Sequence, residues 1–284
     1  MIAGAHPPIG TPGNPYGLTF DGSHIWVGCT GGLLPINPVD QVAGELIVVD
    51  GRPGDVCFGA GHVWALESVR DELISIDPQN RVLKSTTRTR GFPTDLCFSR
   101  DQLWIASEDE GLLQCLDARG LRELGCVPVA GRPTALVAHR GKVWVVCADE
   151  DIALAVDPET FEVGEAIRVP ANPTAITVHQ DRLWVACLDG QAVVPIDPVS
   201  RIAGNGIGVN FPACVVSGGY CMWVSNYADR SVQAIDFLDR GQIELTVPVG
   251  DRPDRLLVVD EALWVSNYGA GTVQRVDFRN GMRE

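Results

Sequence analysis

Apolar and polar positions along this chain come in short blocks, with none of the spacing of an amphipathic helix. A proline opens each block, followed by an apolar run such as "TALVAH" (134–139) or "TAITVH" (174–179). A polar turn follows, then "KVWVVCA" or "RLWVACL", then an acidic or glycine-bearing loop. A third run ends in "VDP" or "IDP", and a fourth ends near "IRVP" or "VPVG". Short β-rich runs bounded by Gly, Pro, Asp and Asn predict strands joined as a meander.

The blocks keep register. All seven tryptophans, Trp26, Trp64, Trp104, Trp144, Trp184, Trp223 and Trp264, follow a proline by eleven residues. Those prolines are Pro15, Pro53, Pro93, Pro133, Pro173, Pro212 and Pro253. Thirteen residues after six of the tryptophans stands an aspartate: Asp77, Asp117, Asp157, Asp197, Asp236 and Asp277. In the first unit the interval is eleven and the residue is Asn37. Four strands per unit of about 40 residues is the pattern of a propeller blade. The predicted fold is all-β: a seven-bladed β-propeller of four-stranded antiparallel blades.

An open ring would leave a strand edge free to aggregate. The seventh unit supplies three strands before the chain ends, and the segment "PPIGTPGNP" near the start resembles "VPVGDRP" (247–253). Residues 2–10 are therefore expected to provide the missing outer strand and latch the ring. On this reading residues 1–284 form one propeller domain, with residues 1–10 as the latch. A residue repeated in every blade belongs to the scaffold, so a site must be sought where blades differ.

The lines "LWVSNYGAGTVQRVD" and "MWVSNYADRSVQAID" resemble the repeat of YVTN-type β-propellers. "PYGLTFDGSHIWV" (15–27), with one tryptophan in each blade, is similar to the seven-bladed streptogramin lyase propellers. The resemblance spans the whole chain and rests mainly on scaffold positions. It implies a lyase site built from histidines just after the opening prolines of the last two blades, a glutamate in the last blade, and magnesium. Here those post-proline positions hold Ala213 and Asp254, and the matching loop reads "SNYG" with no glutamate. Only Tyr16 matches a tyrosine which that family places near its substrate, so the lyase reaction is not carried over.

A formal charge of −14 disfavours nucleic acid and anionic membrane surfaces as partners. No apolar run approaches the roughly 18 residues of a membrane span. The start "MIAGAHPPIG" carries no basic and apolar leader pattern, and the nine cysteines read as reduced, buried small hydrophobes. Together these features place the chain in the cytoplasm, and a monomer is expected.

Loops before the first strand and between the second and third share one face of a propeller, around the channel mouth. Concave rims built by several elements are the usual place for a site. Around that ring, the candidate acid–base residues are Tyr16, Asp55, Asp95 and Asp254. Candidate substrate contacts are Arg52, Phe92, Arg132, Asn172, Phe211, Tyr227, Arg252, Arg255 and Tyr268. Arginine grips carboxylate or phosphate by paired hydrogen bonds, and a carboxyl raised by burial serves as a base. The competing reading is that these Arg and Asp groups pair and only stitch blades together.

Acidic loops in blades two to five offer Glu108 and Asp149 as metal candidates for magnesium or calcium, though solvated surface acids explain them as well. No cofactor is otherwise called for. His24, His62, His139 and His179 fall in or beside turns on the opposite face, and His6 lies in the latch. No CxxC occurs, and "GAGTV" and "GNGIG" open no helix, which excludes a dinucleotide fingerprint. Two functions remain open: a lyase or isomerase acting on a small molecule at the rim, and a binding module for a protein, peptide or small ligand.

Overall fold

The computed structural model describes residues 2–218, 220–236 and 241–279. Met1, which the predicted latch includes, lies outside them. The described strands form seven antiparallel sheets, and the chain is a seven-bladed β-propeller. Innermost strands begin at the seven prolines: Pro15–Phe20, Pro53–Gly59, Pro93–Ser99, Pro133–His139, Pro173–His179, Pro212–Gly218 and Pro253–Val259. Proline suits this place because the first residue of a strand loses no ladder hydrogen bond. Second strands carry the tryptophans, and third strands run from the loop face back toward the aspartates.

Each tryptophan is nearly or fully buried, and it packs against the next blade. Trp26 joins Val56, Val63 and Ala65 of blade two; Trp64 joins Leu96 and Leu103 of blade three. Trp264 closes the circle by packing on Leu18, Ile25 and Val27 of blade one. The core is thus a ring of interblade clusters, which no single blade could bury alone. The repeated aspartates Asp77, Asp117, Asp157 and Asp197 finish the third strands as turn builders, whereas Asp277 lies inside its strand. Asp77 accepts from the amides of Gln79 and Asn80, and Asp157 from those of Glu159 and Thr160. Asn37 does the same for Val39.

The N-terminal strand closes the ring. Ile2–Ala5 pairs antiparallel with the last strand, Thr272–Arg279, and Ile9–Gly10 pairs further along it. The His6 ring also reaches Asp277 at 2.8 Å, and Gln274 donates to the His6 carbonyl at 2.9 Å. All nine cysteines are free thiols; Cys57, Cys97 and Cys126 are half-buried and the other six buried. Among the described residues no helix is long and apolar enough to cross a membrane.

Candidate functional site at the channel mouth

A cavity of about 520 Å³ opens at the mouth of the ring, on the face that carries the loops before the first strands. That volume lies in the usual range for small-ligand pockets. Tyr16, Arg52, Asp55, Phe92, Tyr227, Asp254 and Arg255, all expected at the site, line it. Val69, Leu188 and Ala213 add apolar wall, and Ser68, Thr94, Thr134 and Thr174 add hydroxyls.

One backbone feature sets these side chains in place. Every innermost strand carries a β-bulge just after its proline. In blades three to six, pairing with the second strand resumes two residues on, at Asp95, Ala135, Ala175 and Cys214. In blades seven, one and two it resumes only three residues on, at Leu256, Leu18 and Val56. The released pairs are Asp254–Arg255, Tyr16–Gly17 and Gly54–Asp55, all cavity-lining. Bulges are a common means of re-aiming side chains beside a site.

Elsewhere the same positions are spent on the scaffold. Thr94, Thr134 and Thr174 donate to the carbonyls of Pro133, Pro173 and Pro212, each tying its blade to the next. The positions that match them in blades six, seven, one and two are Ala213, Asp254, Tyr16 and Gly54. The mouth is therefore asymmetric, with a threonine-tied arc facing an arc of charged and aromatic groups.

At the bottom of that second arc sit three acids and one cation. Arg255 Nε lies 3.8 Å from Asp55 Oδ1, with 25% and 14% of the two side chains accessible. The two residues belong to blades seven and two, so Arg255 reaches across blade one. Gly17 makes that reach feasible: a Cβ there would lie 2.8 Å from Asp55 Cα and 2.9 Å from Asp55 Oδ1. Asp55 Oδ2 also accepts from the Leu96 amide of blade three at 3.4 Å. Asp95 sits behind Asp55, off the cavity lining, and accepts from the Leu136 amide of blade four at 2.5 Å.

Burial pushes the Asp95 carboxyl well above its ordinary value of 3.8, and the Asp55 charge with a shared Asp55 hydrogen bond pushes it further. Arg255 and the Leu136 amide oppose that shift without cancelling it. Burial likewise raises Asp254, with Arg255 restraining it. Burial alone would lower Arg255, but Asp55, Asp254 and Asp95 outweigh it and hold the guanidinium charged. The arrangement is a buried, upward-shifted carboxyl beside a second carboxyl and a cation, a pattern that suits acid–base chemistry.

Above the floor, Tyr16 and Tyr268 meet edge to face with centroids 5.2 Å apart. Burial and the hydrogen bond with Tyr268 push the Tyr16 hydroxyl up to about 12, while Arg52 pulls the other way. Tyr16 therefore stays a proton donor. Arg252 stacks 6.0 Å over the Tyr227 ring. Phe92, Asn172, Phe211 and Arg252, each just before an opening proline, all adopt left-handed backbone, with φ of 48°, 56°, 46° and 50°. The same conformation recurs in turns on the opposite face, at Ala60, Arg100, Arg140 and Asp260 among others, so it belongs to the repeated turns of the blade and does not by itself mark the rim.

Other expected residues fall away from the cavity. Arg132 bridges Glu108 at 3.6 Å and Asp149 at 3.1 Å. It thereby acts as a tie between blades three and four, and the two metal candidates already share a cation. Among the described residues, no group of three or more His, Cys, Asp or Glu side chains gathers as metal ligands. Asn172 donates to Asp189 at 3.0 Å. Phe211, Arg252 and Tyr268 stand on the rim outside the lining, with Tyr268 half-buried.

Sequence reasoning missed several contributors. Ser68, Val69 and Leu188 reach the cavity from the loops after second strands. Glu67, from the acidic loop of blade two, is 1% exposed and accepts from the amides of Arg52 and Arg70. Ser225 and Ser266, in the duplicated "WVSNY", are fully buried and hold the bulges. Ser225 donates to the Asp254 carbonyl at 2.8 Å, and Ser266 accepts from the Arg255 amide at 2.9 Å. Their signal was available: two residues after Trp, the other blades carry Gly, Leu, Ala, Val and Ala.

No protein-family model matches the chain, and no curated protein matches it in sequence. Solved structures do match. Virginiamycin B lyase from Staphylococcus aureus superposes with TM-score 0.85 at 13% identity, covering 98% of this chain and 100% of that one. Hydrazine synthase of Kuenenia stuttgartiensis gives 0.84 at 12%, with 98% and 99% covered. A chain of the mitotic checkpoint complex gives 0.86 at 10%, with 97% and 92% covered. The likeness is one of fold. The resemblance to streptogramin lyase propellers holds at that level, and the same ring also appears in proteins of quite different roles.

Proposed function

We propose that the mouth cavity is a small-molecule site that works by acid–base chemistry, as a lyase or isomerase. The observation that carries this reading is the buried charge cluster: Arg255 lies 3.8 Å from Asp55 in a cavity of ligand size, and burial with the Asp55 charge raises the Asp95 carboxyl beside them. Asp55 is the carboxylate a ligand can touch, and it acts as the base. Asp95 is a positioning residue, which steadies Asp55 through their common hydrogen bond. Arg255 stabilises negative charge that develops on the ligand as the proton leaves. Tyr16, fixed by Tyr268 and Arg52, donates to a leaving or rearranging oxygen.

A second reading, a binding module, draws on the rim: Phe92 and Phe211 keep 40% and 38% of their surface exposed. Exposed aromatic groups suit docking. One experiment separates the two. A metabolite library is screened by thermal shift against the wild type and Asp55→Asn, and each hit is then incubated with protein in D2O. The acid–base reading expects hits lost with Asp55→Asn and deuterium incorporated into, or cleavage of, at least one hit. Hits that bind, depend on Asp55 and never exchange support the binding module and defeat the enzyme.

A further inference from the structure

Most charged groups on the loop face are paired, and two that line the cavity are not. The Asp254 carboxylate makes no ion pair and accepts no side-chain hydrogen bond among the described residues; its influences are the more distant charges of Arg255 and Asp55. The Arg52 guanidinium meets the Tyr16 hydroxyl and faces no carboxylate at ion-pair distance among the described residues. Arg132, Arg70 and Arg230 on the same face all have acidic partners.

The two unpartnered groups stand at different depths. Arg52 precedes its proline and is exposed at the rim, while Asp254 follows its proline and is only part accessible. They belong to blades two and seven, on either side of Tyr16 in blade one. Acidic groups outnumber basic ones in that part of the cavity, where Asp55 and Asp254 stand beside Arg255. The rim side of the same cavity ends in a free cation. Between them lie the apolar groups Val69, Phe92, Leu188 and Tyr227. A charge left without a counter-ion in a part-dry cavity is costly, and a ligand of opposite charge removes that cost.

We propose that the ligand is a zwitterion with an apolar body: an ammonium seated on Asp254 at the floor, and a carboxylate or phosphate taken by Arg52 at the rim. This rests on the reading of the mouth as a small-molecule site and adds the ligand class. Its geometry also sets the chemistry. A molecule anchored at both ends spans the cavity that Asp55 and Tyr16 also line, so the proton removed is one borne between the two charged ends. Arginine offers the two-pronged fit that the anionic end needs, and the tyrosine and phenylalanine faces favour the ammonium on its way in.

The test uses the dipeptide Gly-Phe as probe, with N-acetyl-Gly-Phe lacking the ammonium and Gly-Phe amide lacking the carboxylate, by calorimetric titration. Gly-Phe should bind at least about tenfold more tightly than either blocked form, a difference of about 1.4 kcal/mol. Asp254→Asn should erase the preference for the free amine and leave that for the free carboxylate. Arg52→Gln should do the reverse. Circular dichroism and melting temperature of both variants check that the fold is retained. Equal affinity for the three probes, or no binding of any up to about 10 mM, overturns the zwitterion class. If library hits depend on Asp55 while Gly-Phe fails, the small-molecule site stands and only the ligand class falls. If Gly-Phe binds but is indifferent to Asp254 and Arg52, the proposed seat is wrong.

Discussion

Blades three to five and blades seven, one and two are built from the same unit, yet they treat one position in opposite ways. In the first arc the residue after the opening proline is threonine, and its hydroxyl is consumed in tying blade to blade. In the second it is Asp254, Tyr16 or Gly54, the ladder reopens one residue later, and the released groups face a cavity. The contrast teaches that a propeller need not add loops to make a site. Loosening one further ladder step in three adjacent blades frees one more residue in each, and interblade packing of tryptophans leaves the ring intact meanwhile.

The largest expected effect breaks both arcs together. Removing residues 1–10 deprives the last blade of its outer strand and exposes the edge of Thr272–Arg279. The truncated chain should lose its cooperative thermal transition or aggregate, as followed by circular dichroism and light scattering. An unchanged melting temperature would refute the latch as a stabilising element.

A pair of arginine substitutions sharpens the comparison next. Arg255→Ala leaves Asp55 and Asp254 of the loosened arc, and Asp95 of blade three beside them, without their cation, and should cost about 3 kcal/mol in urea unfolding. Arg132→Ala removes ion pairs on the exposed rim of the tied arc, and should cost no more than about 1 kcal/mol. The first should also abolish ligand binding and the second leave it unchanged. Equal costs would mean that the two arcs are energetically alike.

A smaller effect is read from pH. The folded value of Asp95 lies above its unfolded value, so the fold holds the protonated form. That contribution is fully present below the ordinary carboxylate range and is lost as pH rises through the folded value. Asp95→Asn, which keeps a hydrogen-bonding group but no charge, should therefore gain stability relative to wild type as pH rises above the ordinary carboxylate range. Urea midpoints at several pH values check the slope. The smallest effect belongs to the tied arc: Thr134→Val should cost about 1 kcal/mol in urea unfolding.

How far the site was legible follows from the same contrast. The Pro-to-Trp spacing was readable because every blade solves one packing problem with one residue type. Tyr16, Asp55, Asp254 and Arg255 were readable because they break a repeated position. Arg132 breaks it too, yet its neighbours Glu108 and Asp149 engage it, and pairing across blades leaves no periodic trace. Val69 and Leu188 come from loops whose lean over the mouth is set by tertiary contacts. Ser225 and Ser266 were hidden by the duplication itself, which made them look like part of the repeat. The depth order of Asp55 before Asp95 depends on the ring's closure, which one strand's pattern does not encode.

The raised Asp95 carboxyl beside Asp55 is the central claim, and carboxyl carbon NMR of aspartate-labelled protein tests it most directly. Across a pH titration of the wild type, one aspartate signal should titrate far above the ordinary value of 3.8 and disappear in Asp95→Asn. In Asp55→Asn the same signal should move back toward the ordinary range, because the neighbouring negative charge is gone. A wild-type spectrum in which every aspartate titrates within about one unit of its ordinary value would contradict the account.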